Sequence, residues 1–239
     1  MRYFTGFSTQ FWQSPTRPWY LIIPIKGLPK VVIPEIGFSA MQKTWVKEIY
    51  TWPSPRPNDE GISLISRVIN EIPSKFNIIG AELGKEMSLR MPLIDFFFLQ
   101  STLSRKIIDA SSILWELRLI KSNAEIDKIK HICKIASNSF ENLPSIINKG
   151  DSERDIAKKM KIDLISQGAD SIPYLPVISG VGGVSQIIYE PTNRVLKSGD
   201  ILFVDTGSTY DGYFCDFDRN YSIGKASKIV NDIYEILWI

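Results

Sequence analysis

Along the first 115 or so residues, short apolar runs alternate with turn-forming residues. Trp19-Tyr20-Leu21-Ile22-Ile23 and Lys30-Val31-Val32-Ile33 read as two strands, with Gly27-Leu28-Pro29 as the turn between them. Gly61 to Ile72 and Met91 to Gln100 read as helices, and Asn77-Ile78-Ile79-Gly80 as a short strand. Strands interleaved with helices predict an α/β layer domain. Pro53, Pro55 and Pro57 mark a stiff loop within it. The texture changes near Ser111. Ser122-Asn123-Ala124-Glu125 is a capping box, and behind it Ile126, Ile129, Cys133, Ala136 and Phe140 recur at helical spacing. A second helix is predicted from Glu153 to Gln167, closed by Gly168 in a left-handed cap. Strand-like pieces follow at Val177-Ile178-Ser179, Ile187-Ile188-Tyr189, Ile201 to Asp205 and Tyr213 to Ile223. These predict a second, α+β domain, with the boundary between 1–112 and 113–239. Ile229, Ile233, Ile236 and Leu237 begin a further helical pattern that stops without a cap, which suggests a fragment.

Composition narrows the function classes. With 239 residues, 44% of them hydrophobic, the chain can build one large core or two ordinary ones. Its 28 basic and 26 acidic residues are interspersed and leave a net charge of +2, so nothing points to a nucleic-acid or membrane-surface partner. Two distant cysteines, Cys133 and Cys215, exclude a disulfide framework, a zinc ribbon and a CxxC redox pair, and fit a reducing cytoplasm. The opening MRYFTGFSTQ lacks the apolar stretch of a signal peptide, and no apolar run approaches the ~18 residues of a membrane span.

The densest chemistry lies between Ile201 and Ile223. Asp211-Gly212 is a strong hairpin signal, because both central positions of a type I′ turn want positive φ. With that turn, Asp205 falls opposite Asp218, and Asp216 points the same way as Asp218. A bulge at Gly207 would instead bring Asp205 toward Asp216. Either way, two or three carboxylates converge on one face among Leu202, Phe203, Val204, Phe214, Cys215 and Phe217. Crowded carboxylates in apolar surroundings call for protonation or for a cation, and a divalent metal with oxygen ligands serves. On spacing alone, strand-end aspartates facing water fit equally well.

The string VDTGSTYDGYFCDFDRNY resembles the metal-binding hairpin of the pita-bread metallohydrolases, the aminopeptidase P, prolidase and creatinase family. Asp205, Gly207, Gly212-Tyr213 and Asp216 stand at that family's positions, with the second aspartate eleven residues after the first. Leu117-Arg118, Ile120-Lys121-Ser122 and Glu125-Ile126 are similar to the entry to the family's first catalytic helix. Lys197-Ser198-Gly199-Asp200 is similar to the turn ahead of the first metal strand. The resemblance covers nearly the whole chain. It implies an α/β N-terminal creatinase-like domain, entered partway along, followed by the first half of an α+β pita-bread catalytic domain, C-terminally truncated. It also implies Asp205 and Asp216 as ligands of two divalent metal ions (manganese, cobalt, iron or zinc). The activity implied is metal-dependent hydrolysis of an Xaa-Pro dipeptide-like or small amide or amidine substrate, by a homodimer.

Three positions depart from the family pattern. The family completes its site with a histidine and two glutamates farther along, whereas the one histidine of this chain, His131, belongs to the capped helix. The peptidases carry a histidine seventeen residues before the first metal aspartate, where this chain has Ile188. A threonine two residues after the second aspartate is replaced by Asp218. These changes keep two alternatives in view: a non-catalytic truncated product, and a lyase or non-peptide hydrolase acting on a small zwitterionic osmolyte. Elsewhere, Ser179-Gly180-Val181-Gly182-Gly183 lacks Walker spacing and reads as a flexible substrate-side loop. Arg17 reads as a structural arginine in a turn braced by Pro15-Thr16 and Pro18. Trp12, Trp19, Trp45 and Trp52 read as core and interface, and Cys215 as packing on the face opposite Asp216.

Overall fold

The computed structural model describes residues 1–13 and 17–238. The chain divides into two compact units, Met1–Leu119 and Ile120–Ile239. In the first unit, α1 (Arg2–Thr5) and a 3-10 turn precede β1 (Tyr20–Ile22) and β2 (Lys30–Pro34). These two pair antiparallel, and β2 pairs in parallel with β3 (Glu48–Trp52) after the short α2 (Phe38–Met41). Then come α3 (Ile62–Asn70), β4 (Ile78–Ala81), α4 (Leu93–Thr102), β5 (Lys106–Asp109) and α5 (Ser111–Leu119), with β4 and β5 parallel. Residue 112 lies within α5. The predicted strands and helices of this unit form, and α1, α2, β3, β5 and α5 are added to them.

Buried Val31, Val32 and Ile33 give β2 two covered faces, as expected for a strand with neighbours on both sides. Of the tryptophans, Trp52 is core, Trp12 and Trp19 pack against Phe7, and Trp45 is largely exposed. Arg17 stacks over the Phe11 ring, which supports its structural reading; Pro15 and Thr16 lie outside the described residues.

The second unit is built on a sheet with helices on one face. It comprises α6 (Asn123–Ile146), α7 (Glu153–Ser166), β6 (Ser171–Tyr174), β7 (Val177–Val181), β8 (Asp200–Tyr210), β9 (Tyr213–Ser222) and α8 (Lys228–Trp238). The predicted capping box is present: the Ser122 amide donates to Glu125 at 2.7 Å, and the Glu125 amide donates to the Ser122 hydroxyl. Ser152 and Asp155 form a second box that starts α7, and Gly168 ends it at φ +111°.

Strand β9 runs the full length of β8, so β6 and β7 share the other edge of β8 end to end. The period-two alternation then sorts the side chains. Val177, Leu202, Val204 and Cys215 point into the core formed with Ile132, Ala136, Leu143, Ile156, Met160 and Leu164 of α6 and α7. Asp205, Gly207, Asp216 and Asp218 occupy the opposite face. Ile187-Ile188-Tyr189 is not a strand but an exposed loop. The run has strand-like residues but pairs with no strand among the described residues. It is bounded by Gly182-Gly183 at positive φ and by Pro191, which has no N–H to donate.

Candidate metal centre

The hairpin closes on Asp211 (φ 47°) and Gly212 (φ 83°), the two positive-φ positions of a type I′ turn. Pairing runs unbroken from Tyr210 opposite Tyr213 to Ile201 opposite Ser222. Asp205 therefore faces Asp218, and Gly207 faces Asp216, with no bulge between them. Residues directly opposite lie about 5 Å apart at Cβ. All three carboxylates thus stand on one face within two rows of the ladder.

The turn is held at α6. Lys128 pairs with Asp211 at 2.5 Å, and the Tyr213 hydroxyl donates to Glu125 at 2.9 Å. Glu125 thus serves the helix cap and the hairpin at once. His131 lies exposed on α6 with its ring 4.4 Å from that of Tyr210, away from the three carboxylates.

Tyr174 completes the carboxylate row. It ends β6 opposite Gly207, and its hydroxyl donates to Asp216. Gly207 is what makes room for this. A Cβ there would lie 2.2 Å from Tyr174 Cε1 and 2.3 Å from Phe214 Cζ, closer than real carbons approach. Burial, and then the bond to Asp216, push the Tyr174 pKa up, so the phenol stays a neutral donor. The same hydroxyl interacts with Asp205. Burial, and then repulsion by Asp216 and Asp218, raise the Asp205 carboxyl above its ordinary range.

This donor set fits a hard divalent ion in part. Among the described residues no lysine or arginine forms an ion pair with Asp205, Asp216 or Asp218. Arg219, the next residue, instead stacks over Phe140 and Phe217 on the helix side of the sheet. Three carboxylates without a counter-charge favour a cation. Yet among the described residues no three His, Cys, Asp or Glu side chains gather closely enough to form a metal-binding group. The hairpin offers donors without a complete coordination shell.

Two further features escape sequence reasoning. One is Tyr174, 42 residues from its partner. The other is a buried polar network. Glu153 accepts from the amides and hydroxyls of both Ser179 and Thr192, while Arg194 forks onto fully buried Asp200 at 2.7 and 2.8 Å. The capping box at Ser152 marks the position of Glu153 in sequence, but not its partners.

Comparison with known proteins now bears on this geometry. Residues 127–238 match the model of "Metallopeptidase family M24". The chain is 27% identical over 222 residues to the "Probable dipeptidase PepE" of Mycobacterium tuberculosis, covering 91% of this chain and 56% of that protein. It is 28% identical over 158 residues to the Xaa-Pro dipeptidase of Pyrococcus furiosus, covering 65% of this chain and 44% of that protein. The chain thus spans about half the length of these curated relatives. In fold it matches the crystal structure of a prolidase from Thermococcus sibiricus with a TM-score of 0.83 at 24% identity, covering 99% of this chain and 62% of that one. The architecture is accordingly an N-terminal creatinase-like domain followed by part of a pita-bread domain.

Proposed function

We propose, from the match of residues 127–238 to the model of metallopeptidase family M24, that the chain represents a metal-dependent hydrolase of small peptides, of the Xaa-Pro dipeptidase type. The observation that carries this reading is the row of uncompensated carboxylates on the open face of the hairpin, with Tyr174 donating to Asp216. Asp205 and Asp216 would hold the metal. Divalent ions bound there supply Lewis-acid activation of water and of a scissile carbonyl. The part played by this chain is orientation. Gly207 admits the Tyr174 ring, and the Tyr174 hydroxyl fixes the Asp216 carboxylate, an outer hydrogen bond of the kind that aligns metal-ligating carboxylates. The apolar rings of Phe203 and Phe214 share that face and lower the local dielectric.

Manganese, cobalt, iron and zinc all suit such ligands. With no fuller ligand group gathered among its described residues, the 239-residue chain is proposed to bind metal weakly and to be inactive by itself. A second reading, lyase or hydrolase action on a small zwitterion, is favoured by Asp218 standing opposite Asp205. Both cysteines are free, in keeping with a reducing compartment, and among the described residues no helix is long and apolar enough to cross a membrane. The test is calorimetric titration with Mn²⁺ and Co²⁺. Binding is expected in the wild type and lost in the double variant Asp205→Asn/Asp216→Asn; equal binding by both proteins would remove the site. Xaa-Pro dipeptides and small zwitterions assayed side by side then separate the two activities.

A further inference from the structure

The two cysteines, far apart in sequence, share one core, and no chemistry described above uses them. Both thiols are free; Cys215 is buried and Cys133 half-buried. Cys215 belongs to the core between the sheet and the helices, and Cys133 packs against that core. Two contacts fix how α6 lies along β9. Near the turn, Lys128 pairs with Asp211 at 2.5 Å. Near the far end, the Arg219 guanidinium stacks over the Phe140 ring at 5.6 Å, and the Tyr221 hydroxyl donates to the Phe140 carbonyl at 2.8 Å. Cys215 stands midway between Asp211 and Arg219, and Cys133 one residue from the midpoint of Lys128 and Phe140. The two cysteines therefore come level along the interface. They also lie on facing stripes. Cys215, Phe217 and Arg219 alternate onto the helix side of β9. Cys133, Ala136 and Phe140 form one stripe of α6, and Phe140 is the residue that Arg219 covers. A charge on Cys133 is felt at Cys215, as expected for neighbouring sulfurs.

Bridging these thiols would move the strand that carries Asp216. Packed layers lie about 10 Å apart, and helix Cα atoms stand ~2.3 Å off the helix axis. The nearest Cα atoms of a helix and the strand beneath it are then about 7–8 Å apart, beyond the ~4.4–6.8 Å that a disulfide spans. Closing one between α6 and β9 therefore draws the strand toward the helix by about 1–2 Å. β9 is able to follow, since among the described residues it pairs with β8 alone. Cys215 and Asp216 point to opposite sides of the strand. Movement toward the helix thus carries Asp216 away from the Tyr174 hydroxyl, which β6 holds at the other edge of β8.

We propose that Cys133 and Cys215 are a redox pair: a small disulfide of the oxidised-glutathione class closes them into a bond between α6 and β9, and closure loosens the carboxylate row. The first step falls to Cys133, the more exposed thiol. Its thiolate attacks the small disulfide, forming a mixed disulfide and releasing one small thiolate. Cys215 then attacks the Cys133 sulfur and expels the second small thiolate, and the protons of the two protein thiols end on the two small thiols. Two protein thiols are oxidised to one disulfide, and one small disulfide is reduced to two thiols. Burial pushes the Cys133 thiol up, so the first step speeds up as pH rises. Closure of the bridge stands on the packing of α6 against β9; its effect on metal binding rests on the peptidase reading above.

The test uses the 239-residue chain, incubated with oxidised glutathione at mildly alkaline pH and mapped by mass spectrometry without reduction. Trypsin cuts after Lys130, Lys134, Lys197 and Arg219, so the bridge joins peptides 131–134 and 198–219. The expected result is that linked peptide, an intact chain lighter by two hydrogens, and reversal by dithiothreitol. Cys215→Ala should stop at a stable mixed disulfide on Cys133, and Cys133→Ala should not react while folded. If either variant fails to fold, the wild-type map carries the test. A wild-type chain that stops at the mixed disulfide, that crosslinks to a second chain through Cys133, or that stays unmodified overturns the proposal. So does a bridge that forms only in urea concentrations that unfold the chain. By calorimetry, Mn²⁺ affinity should fall several-fold in the bridged chain and recover after reduction and desalting. A bridge that leaves Mn²⁺ affinity unchanged overturns the link to the carboxylate row. Absence of Mn²⁺ binding in the reduced chain takes down the metal reading and the regulatory role with it, while the peptide map still decides the bridge.

Discussion

Gly207→Ala tests how the carboxylate row is assembled. The backbone of residue 207 is not at positive φ, so alanine brings no dihedral strain. Its cost is steric. The new methyl would sit 2.2 and 2.7 Å from two carbons of the Tyr174 ring and 2.3 Å from Phe214. Phe214 is 45% exposed and can swing aside cheaply. Tyr174 cannot, because its hydroxyl is tied to Asp216 and its strand to β8. Overpacking of this kind costs about 1–3 kcal/mol. The hydrogen bond to a charged acceptor adds at most ~1 kcal/mol, since Asp216 is open to water. The expected destabilisation is therefore about 2 kcal/mol, read as a lower urea midpoint at unchanged slope by circular dichroism. The decisive control is a double-mutant cycle. In a Tyr174→Ala background the ring is gone, and Gly207→Ala should cost close to nothing. If alanine at 207 is equally costly with and without the tyrosine ring, the slot does not exist as described. In the single variant, Mn²⁺ affinity should also fall about tenfold or more, because the Asp216 carboxylate loses its outer partner.

Asp205→Asn should stabilise the metal-free chain at pH 7. The Asp205 carboxyl is raised by burial and by Asp216 and Asp218, so the folded chain binds this proton more tightly than the unfolded chain. Its contribution is best below the unfolded value and is lost as pH rises through the folded one, so the gain from Asn should vanish near pH 3; urea midpoints at both pH values check this. Arg194→Met should cost about 3 kcal/mol, because it strands the fully buried Asp200 without its guanidinium, and thermal melts read the loss. Ser152→Ala removes the cap of α7 and should cost about 1 kcal/mol, with the largest rise in hydrogen exchange in the first turn of that helix.

What the sequence discloses here depends on how far apart the interacting residues lie. The hairpin is legible because its determinants are local. A two-residue turn sets the register, and the register sets which side chains share a face, so Asp205 opposite Asp218 follows from Asp211-Gly212 alone. The capping box at Ser122 is legible for the same reason: its hydrogen bonds span three residues. Ile187-Ile188-Tyr189 misleads because β-branched and aromatic residues satisfy the strand pattern whether or not they pair, and here they pair with no strand among the described residues. Tyr174 and Glu153 were invisible because their meaning lies in residues 42, 26 and 39 positions away.

One local clue did point to Tyr174. Gly207 interrupts a strand that is otherwise fully side-chained, and a strand-interior glycine marks a close approach by something else. In this fold that something is a tyrosine ring lying across the carboxylate row. The glycine at the family position therefore has a physical reason to be there: with any Cβ at 207, Asp216 loses the hydroxyl that orients it. The part of the site most dependent on three-dimensional packing is thus signalled in sequence by a missing side chain.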